Sequence, residues 1–201
     1  MTLALIDCGA GNLYSVANAL AAAGADDVAI TADAEVVARA ERIVLPGVGA
    51  FGACAAALRA MPGMVAMLED RVRDGSTPFL GICVGMQLLA ERGDEHGDHA
   101  GLGWFAGTVE RLAPSDPAAR VPHMGWNDVL PTASHPLIEA GEAYFLHSYA
   151  YRGDGVIATT DHGGAVSAAI GREHIVGVQF HPEKSQRYGI ALLERFLAWR
   201  R

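Results

Sequence analysis

Residues Phe79 to Leu89 read FLGICVGMQLL. Phe79-Leu80-Gly81-Ile82 is an apolar run of buried-strand type, and an apolar-periodic helix leaves Cys83. Glycine stands two positions before the cysteine (Gly81) and two after it (Gly85). This is the thiol counterpart of the G-x-S-x-G nucleophile elbow, in which glycines let strand and helix approach where the backbone turns sharply. The pattern predicts Cys83 at a helix N-terminus, where unsatisfied N–H groups and the macrodipole favour thiolate over thiol. A free cysteine is more often a small buried hydrophobe. Cys8, before Gly9, and Cys54, in an Ala-rich helix, lack the flanking glycines and read as structural.

Outward from the elbow, the first half of the chain alternates apolar runs with helical patterns. Leu3 to Ile6, Val28 to Ile30, Ile43 to Leu45 and Phe79 to Ile82 read as strands. Leu13, Val16, Ala17 and Leu20 share one face of a helix after Asn12, and Met64 to Arg73 is helical. This alternation predicts a mainly parallel sheet with helices on both faces, an α/β, flavodoxin-like open sheet. Past Gly101 short β runs take over: Thr108–Leu112, Trp126–Leu130, Tyr144–Leu146, Val156–Thr159, Ala165–Ile170 and Ile175–Phe180. Turn residues separate them, which predicts antiparallel additions to the sheet in the C-terminal half. A last helix, Ile190 to Trp199, carries Ile190, Leu193, Phe196 and Leu197 on one stripe. With no linker, repeat or low-complexity tract, residues 1–201 read as one domain.

Composition narrows the function classes. Hydrophobic residues make up 51% and charged ones 19%, as in a folding chain. A net charge of −8 argues against a broad nucleic-acid footprint, and the terminal Arg200-Arg201 pair is too short to supply one. MTLALIDCGAGN has no basic leader and only a brief apolar run, too short for a signal segment or a membrane span. Three cysteines without a C-x-x-C fit a reducing, cytoplasmic setting.

A base for the thiol lies far along the chain. Val176-Gly177-Val178-Gln179-Phe180 is a buried strand ending in His181-Pro182-Glu183. Pro182 enforces extension at His181, and residues i and i+2 of an extended chain point to one side. Glu183 is therefore expected to reach the His181 imidazole and fix its tautomer, as the acid of a serine triad does. His181 can then take the thiol proton and return it to a leaving amine.

Leu45 to Gly52, LPGVGAFG, fits G-x-G-x-x-G and invites a dinucleotide reading. Such a unit needs a second strand ending in an acidic residue roughly 20 positions on. Glu69 and Asp70 fall instead within a helical pattern, and Pro62-Gly63 interrupts the helix that should follow the turn. The glycines read better as main chain that approaches a carbonyl. Val48 and Val84 N–H groups are the expected oxyanion donors for a substrate on Cys83. His96 and His99, in GDEHGDHAG, are weak metal candidates in a loop that reads as solvated. His123, His135, His162 and His174 have no ligand spacing, so no metal is expected.

P-G-V-G-A-F at Pro46–Phe51, G-I-C-V-G-M-Q at Gly81–Gln87 and F-H-P-E at Phe180–Glu183 together resemble the class I (triad) glutamine amidotransferases. The resemblance covers nearly the whole chain. It implies Cys83, His181 and Glu183 as catalytic triad, and places Gln87 and the main chain of Gly47, Gly49, Ser148 and Tyr149 around glutamine. It implies no cofactor. D-x-G-A-G-N-L at Asp7–Leu13, P-H-M-G-W-N at Pro122–Asn127, F-L-H-S-Y at Phe145–Tyr149 and H-P-E-K-S-Q at His181–Gln186 are similar to one branch of the family. That branch is the glutaminase subunits of histidine biosynthesis, which implies a heterodimer with a cyclase subunit that receives ammonia through a channel. Cys8 departs from the tyrosine usual there. Two alternatives stay open: an amidotransferase subunit serving another synthase, and a flavodoxin-like thiol protein acting as a peptidase or binding module.

Overall fold

A computed structural model describes residues 2–9 and 12–199. The Ala10-Gly11 step of the Asp7–Leu13 stretch and the Arg200-Arg201 pair lie outside them.

The chain runs β1 (Thr2–Ile6), α1 (Leu13–Ala22), β2 (Asp27–Thr31), α2 (Ala34–Ala38), β3 (Arg42–Gly47), α3 (Phe51–Ala60) and α4 (Met64–Leu68). It continues through β4 (Phe79–Cys83), α5 (Val84–Gln87), β5 (Ala90–Gly93), β6 (His99–Ala100), β7 (Phe105–Arg111) and β8 (His123–Pro131). β9 (Gly141–His147), β10 (Tyr149–Gly153), β11 (Val156–Asp161), β12 (Ala165–Arg172), β13 (Ile175–Val178) and α6 (Gln186–Ala198) complete it. The large sheet has the order β2-β1-β3-β4-β13-β12-β11-β8-β9. Its first five strands pair in parallel and the rest antiparallel. The fold is α/β, with helices on both faces of a mainly parallel region.

Local chemistry accounts for the elements. β1, β3, β4 and β13 are buried almost throughout, so they carry continuous apolar runs rather than alternation. Asn12 caps α1 by accepting the Ser15 N–H at 3.2 Å, and α1 packs with α6. Pro62-Gly63 breaks the helix, so α3 and the following segment meet at 94°. Four expectations need correction. Met64–Arg73 is helical, but its second half, Glu69–Arg73, is a π-turn. α6 starts four residues earlier than its apolar stripe, with Gly189 packed against the Pro182 carbonyl. β13 ends at Val178, before Gln179 and Phe180. Finally, the Thr108–Leu112 run (β7) joins a separate four-stranded sheet, β10-β7-β5-β6, while the runs in β8, β9, β11 and β12 do extend the large sheet antiparallel as expected. Among the described residues no single helix is long and apolar enough to cross a membrane.

Candidate active site

β3, β4 and β13 lie side by side, and their carboxyl ends open on one cavity. Gly47 is paired with Cys83, and Ile82 with Val178, so the first residues past the strands converge. Cys83 has φ 54° and ψ −113°, a conformation that costs an ordinary side chain about 1–3 kcal/mol. Close packing of main chain holds it there. A Cβ on Gly81 would stand 2.6 Å from the Gly85 carbonyl oxygen, and one on Gly85 would overlap the Leu45 carbonyl.

The helix that leaves the elbow is shorter than its periodicity predicts. α5 is a single turn, closed by Leu88 N–H to Val84 O at 2.8 Å, and Leu88-Leu89 then leads into β5. A macrodipole is a sum over aligned peptide units, so one turn supplies little of it. Neighbouring side chains carry the rest of the electrostatics around Cys83.

His181 is the first of them. Its Nδ1 lies 2.8 Å from Glu183 Oε1, and both side chains are 5% exposed. His181 is extended (φ −102°, ψ 99°), as Pro182 requires, but Pro182–Lys184 is a 3-10 turn. Glu183 therefore swings back onto the ring and does not lie along an extended chain. Burial opposes an imidazolium at His181, yet hydrogen bonds to Cys83 and Glu183, with their charges, outweigh it and push the group up to about 9. The backbone is equally restrained. His181 N–H donates to Tyr144 O at 2.9 Å, and Ser185 Oγ donates to His181 O while accepting the Tyr144 N–H.

These groups face a cavity of about 500 Å³, within the range of small-molecule sites. Cys83, His181, Val48, Val84, Gly49, Gln87, Ser148 and Tyr149 line it. Gly47 stands behind that wall, where a Cβ would come within 2.6 Å of the Gly85 nitrogen. Glu183 sits behind His181. A buried thiol, an imidazole raised in basicity and a carboxylate behind it are the parts of an acyl-transfer site.

The glutamine amidotransferase class-I family model matches residues 4–199. The chain belongs to the class I glutamine amidotransferases. Imidazole glycerol phosphate synthase subunit HisH of Zymomonas mobilis subsp. mobilis is 59% identical over 98% of this chain and 96% of that protein. The subunit of the same name from Rhodospirillum rubrum is 50% identical over 99% of each. A solved structure described as a glutamine amidotransferase superposes with TM-score 0.76 at 19% identity, over 98% of both chains. A glutamine amidotransferase from Thermotoga maritima gives 0.61 at 15% identity, over 98% of this chain and 83% of that one. At such identities the likeness concerns the fold.

This amidotransferase cavity also has walls that motif reading passes over. Glu95, His96, Pro122, Leu146, His147 and Lys184 line it. Glu95 Oε2 accepts the Phe51 N–H at 2.8 Å, tying the β5–β6 loop to the start of α3. That loop reads as solvated acid in sequence, and the contact that orders it spans 44 residues. His96 faces the cavity while His99 packs over Gly52, so the two diverge. Among the described residues no three His, Cys, Asp or Glu side chains gather to hold a metal. Burial pushes the Cys8 thiol up to about 12 and raises Cys54, whose Sγ donates to Val48 O at 3.2 Å.

Proposed function

We propose that this chain is the glutaminase subunit of an imidazole glycerol phosphate synthase, hydrolysing glutamine and passing ammonia to a cyclase subunit in histidine biosynthesis. The observation that carries the reading is Cys83 and His181 on one cavity wall with Glu183 hydrogen-bonded behind His181, in a chain 59% identical along its length to a HisH subunit.

Cys83 Sγ attacks the side-chain amide carbon of glutamine. The N–H groups of Val48 and Val84 receive the oxyanion. His181, its other nitrogen held by Glu183, gives its proton to the amide nitrogen, and the C–N bond breaks to release ammonia. Water, deprotonated by His181, then attacks the thioester, and glutamate leaves as the thiol is restored. Gln87 and the main chain of Gly49, Ser148 and Tyr149 hold the substrate, with Gly47 backing the wall behind them. Glu95 is the carboxylate on the cavity wall suited to the α-ammonium of glutamine.

A surface beside the cavity fits the cyclase. Met124 and Trp126 project on one side of β8 and are 61% and 47% exposed. The Trp126 ring meets Tyr144 edge-on at 6.2 Å, and Lys184 Nζ, on the cavity wall, lies 6.0 Å from the Tyr144 ring centre. A cyclase seated there in a heterodimer collects ammonia as it leaves, through a channel of its own. Co-purification followed by glutamate release, with that cyclase and with synthases served by other class I amidotransferases, tests the reading. Pairing and activation are expected with the cyclase. Pairing with another synthase and no response to the cyclase would overturn it.

A further inference from the structure

We propose that Gln179 is a positioning residue for the nucleophile: one amide N–H holds the Cys83 sulfur, and the amide oxygen locks Gln87. The proposal rests on the reading of Cys83 as nucleophile and Gln87 as a glutamine contact.

Gln179 follows β13 directly and is 0% exposed. The pairing of Ile82 with Val178 sets it opposite Cys83, and its own N–H is tied to Ala168 O at 2.9 Å. A fully buried primary amide is retained only where partners satisfy it. Gln179 Nε2 lies 3.7 Å from Cys83 Sγ, within reach for a large sulfur acceptor, and its Oε1 lies 3.0 Å from Gln87 Nε2.

The direction of these bonds follows from groups that have no choice. The Tyr149 carbonyl can only accept, and it faces Gln87 Nε2 at 3.0 Å and His147 Nδ1 at 2.9 Å. Both nitrogens therefore donate. The second hydrogen of Gln87 Nε2 points at Gln179, which must answer with its oxygen, leaving its nitrogen for the sulfur. Flipping Gln179 would set two NH₂ groups face to face and an oxygen lone pair against a thiolate. The same logic runs outward. With Nδ1 donating, His147 Nε2 accepts from His123 Nδ1 at 3.1 Å, and His123 Nε2 accepts from Asn127 Nδ2 at 3.1 Å. The other Asn127 hydrogen ends on the Asp161 carbonyl at 2.8 Å. Carbonyls at both ends leave one consistent pattern, which needs both imidazoles neutral. Burial, with the neighbouring histidines, keeps them so by pushing His123 down to about 3 and His147 to about 4.

Two consequences follow for the site. Gln87 is held with both amide hydrogens engaged, so its oxygen is the atom offered to substrate. The sulfur keeps an N–H donor that does not depend on the state of His181, which matters because α5 is too short to contribute a large dipole.

Gln179→Glu and Gln179→Met, both close in shape, are tested in the complex with the cyclase. Co-purification and ammonia-dependent synthesis report assembly and are expected unchanged. Glutamine-dependent kcat should fall roughly 10- to 100-fold, the worth of a hydrogen bond to a charged group. The curve of Cys83 alkylation by iodoacetamide against pH should move to higher pH, further in the carboxylate variant, where two anions would face each other. An unmoved curve in an assembled variant overturns the proposal. Should neither variant fold, the Gln179 side-chain amide signals of ¹⁵N-labelled wild-type protein decide it, since they must shift when Cys83 is alkylated. Failure of the underlying reading looks different: Cys83→Ala would retain glutaminase activity.

Discussion

Gly47 and Cys83 are register partners at the ends of β3 and β4, and a Cβ on Gly47 would come within 2.6 Å of the Gly85 nitrogen. The strand that leads to Val48 is thus seated on the turn that carries Cys83. Beyond it the constraint relaxes. Val48 is 38% exposed and Gly49 has φ +92°, although the Cys54 thiol still holds the Val48 carbonyl, one peptide farther on. The peptide between Gly47 and Val48 can rotate at little steric cost, so its N–H can face the cavity or turn from it. We expect the free subunit to hydrolyse glutamine slowly and the proposed cyclase partner to raise the rate at least about tenfold, mainly in kcat. A 100-fold rise needs only about 2.7 kcal/mol of differential binding. Equal steady-state rates for free and assembled protein would remove the gate.

Cys83→Ala is expected to abolish glutamine-dependent synthesis while leaving ammonia-dependent synthesis by the assembled enzyme intact. On the proposed reading the thiol serves only to make ammonia, and the acceptor chemistry belongs to the partner. Failure of added ammonium salt to rescue the mutant complex would show that the division of labour is wrong.

At neutral pH, limiting iodoacetamide should label Cys83 far ahead of Cys8 and Cys54. Burial raises both structural thiols, Cys8 to about 12, whereas Cys83 neighbours His181, whose imidazole is pushed up to about 9. Peptide mapping decides it, and even labelling of the three would falsify this ordering.

Stability should fall on both sides of neutrality, for separate reasons. His123 and His147 are depressed from an ordinary value of 6.5 to about 3 and about 4, chiefly by burial. Between those values and 6.5 the unfolded chain binds more protons, so this stabilisation is present above 6.5 and lost as pH falls toward 4. His181 is raised to about 9, so its contribution is present below 6.5 and lost as pH rises through 9. His147→Gln can keep the bonds to His123 and Tyr149, and should flatten only the acid limb of melting temperature against pH. Unchanged acid slopes in calorimetry would count against it.

The parallel half, the elbow and the His181–Glu183 pair were legible because their signals are local: continuous apolar runs, glycines at fixed offsets and a proline that restricts one residue. The length of α5 was not. Met86, Leu88 and Leu89 keep an apolar texture suited equally to helix and to the start of a buried strand, and the small sheet decides between them. The partnership of His123 with His147 was hidden as well. It exists because β8 and β9 pair antiparallel in that register, and a separation of 24 residues resembles no ligand spacing. Glu95 was missed for the same physical reason, its partner being a backbone N–H 44 residues away in the chain.

β9 is the last strand of the large sheet, and an uncovered last strand is an invitation to pair with another molecule. Here Tyr144 spends its outward N–H on Ser185 and its outward carbonyl on His181. The His181–Ser185 segment thus covers the rim at Tyr144. Substitutions that loosen Ser185 or Pro182 should therefore lower solubility together with turnover, so aggregation in such variants would report on the same few residues that hold His181.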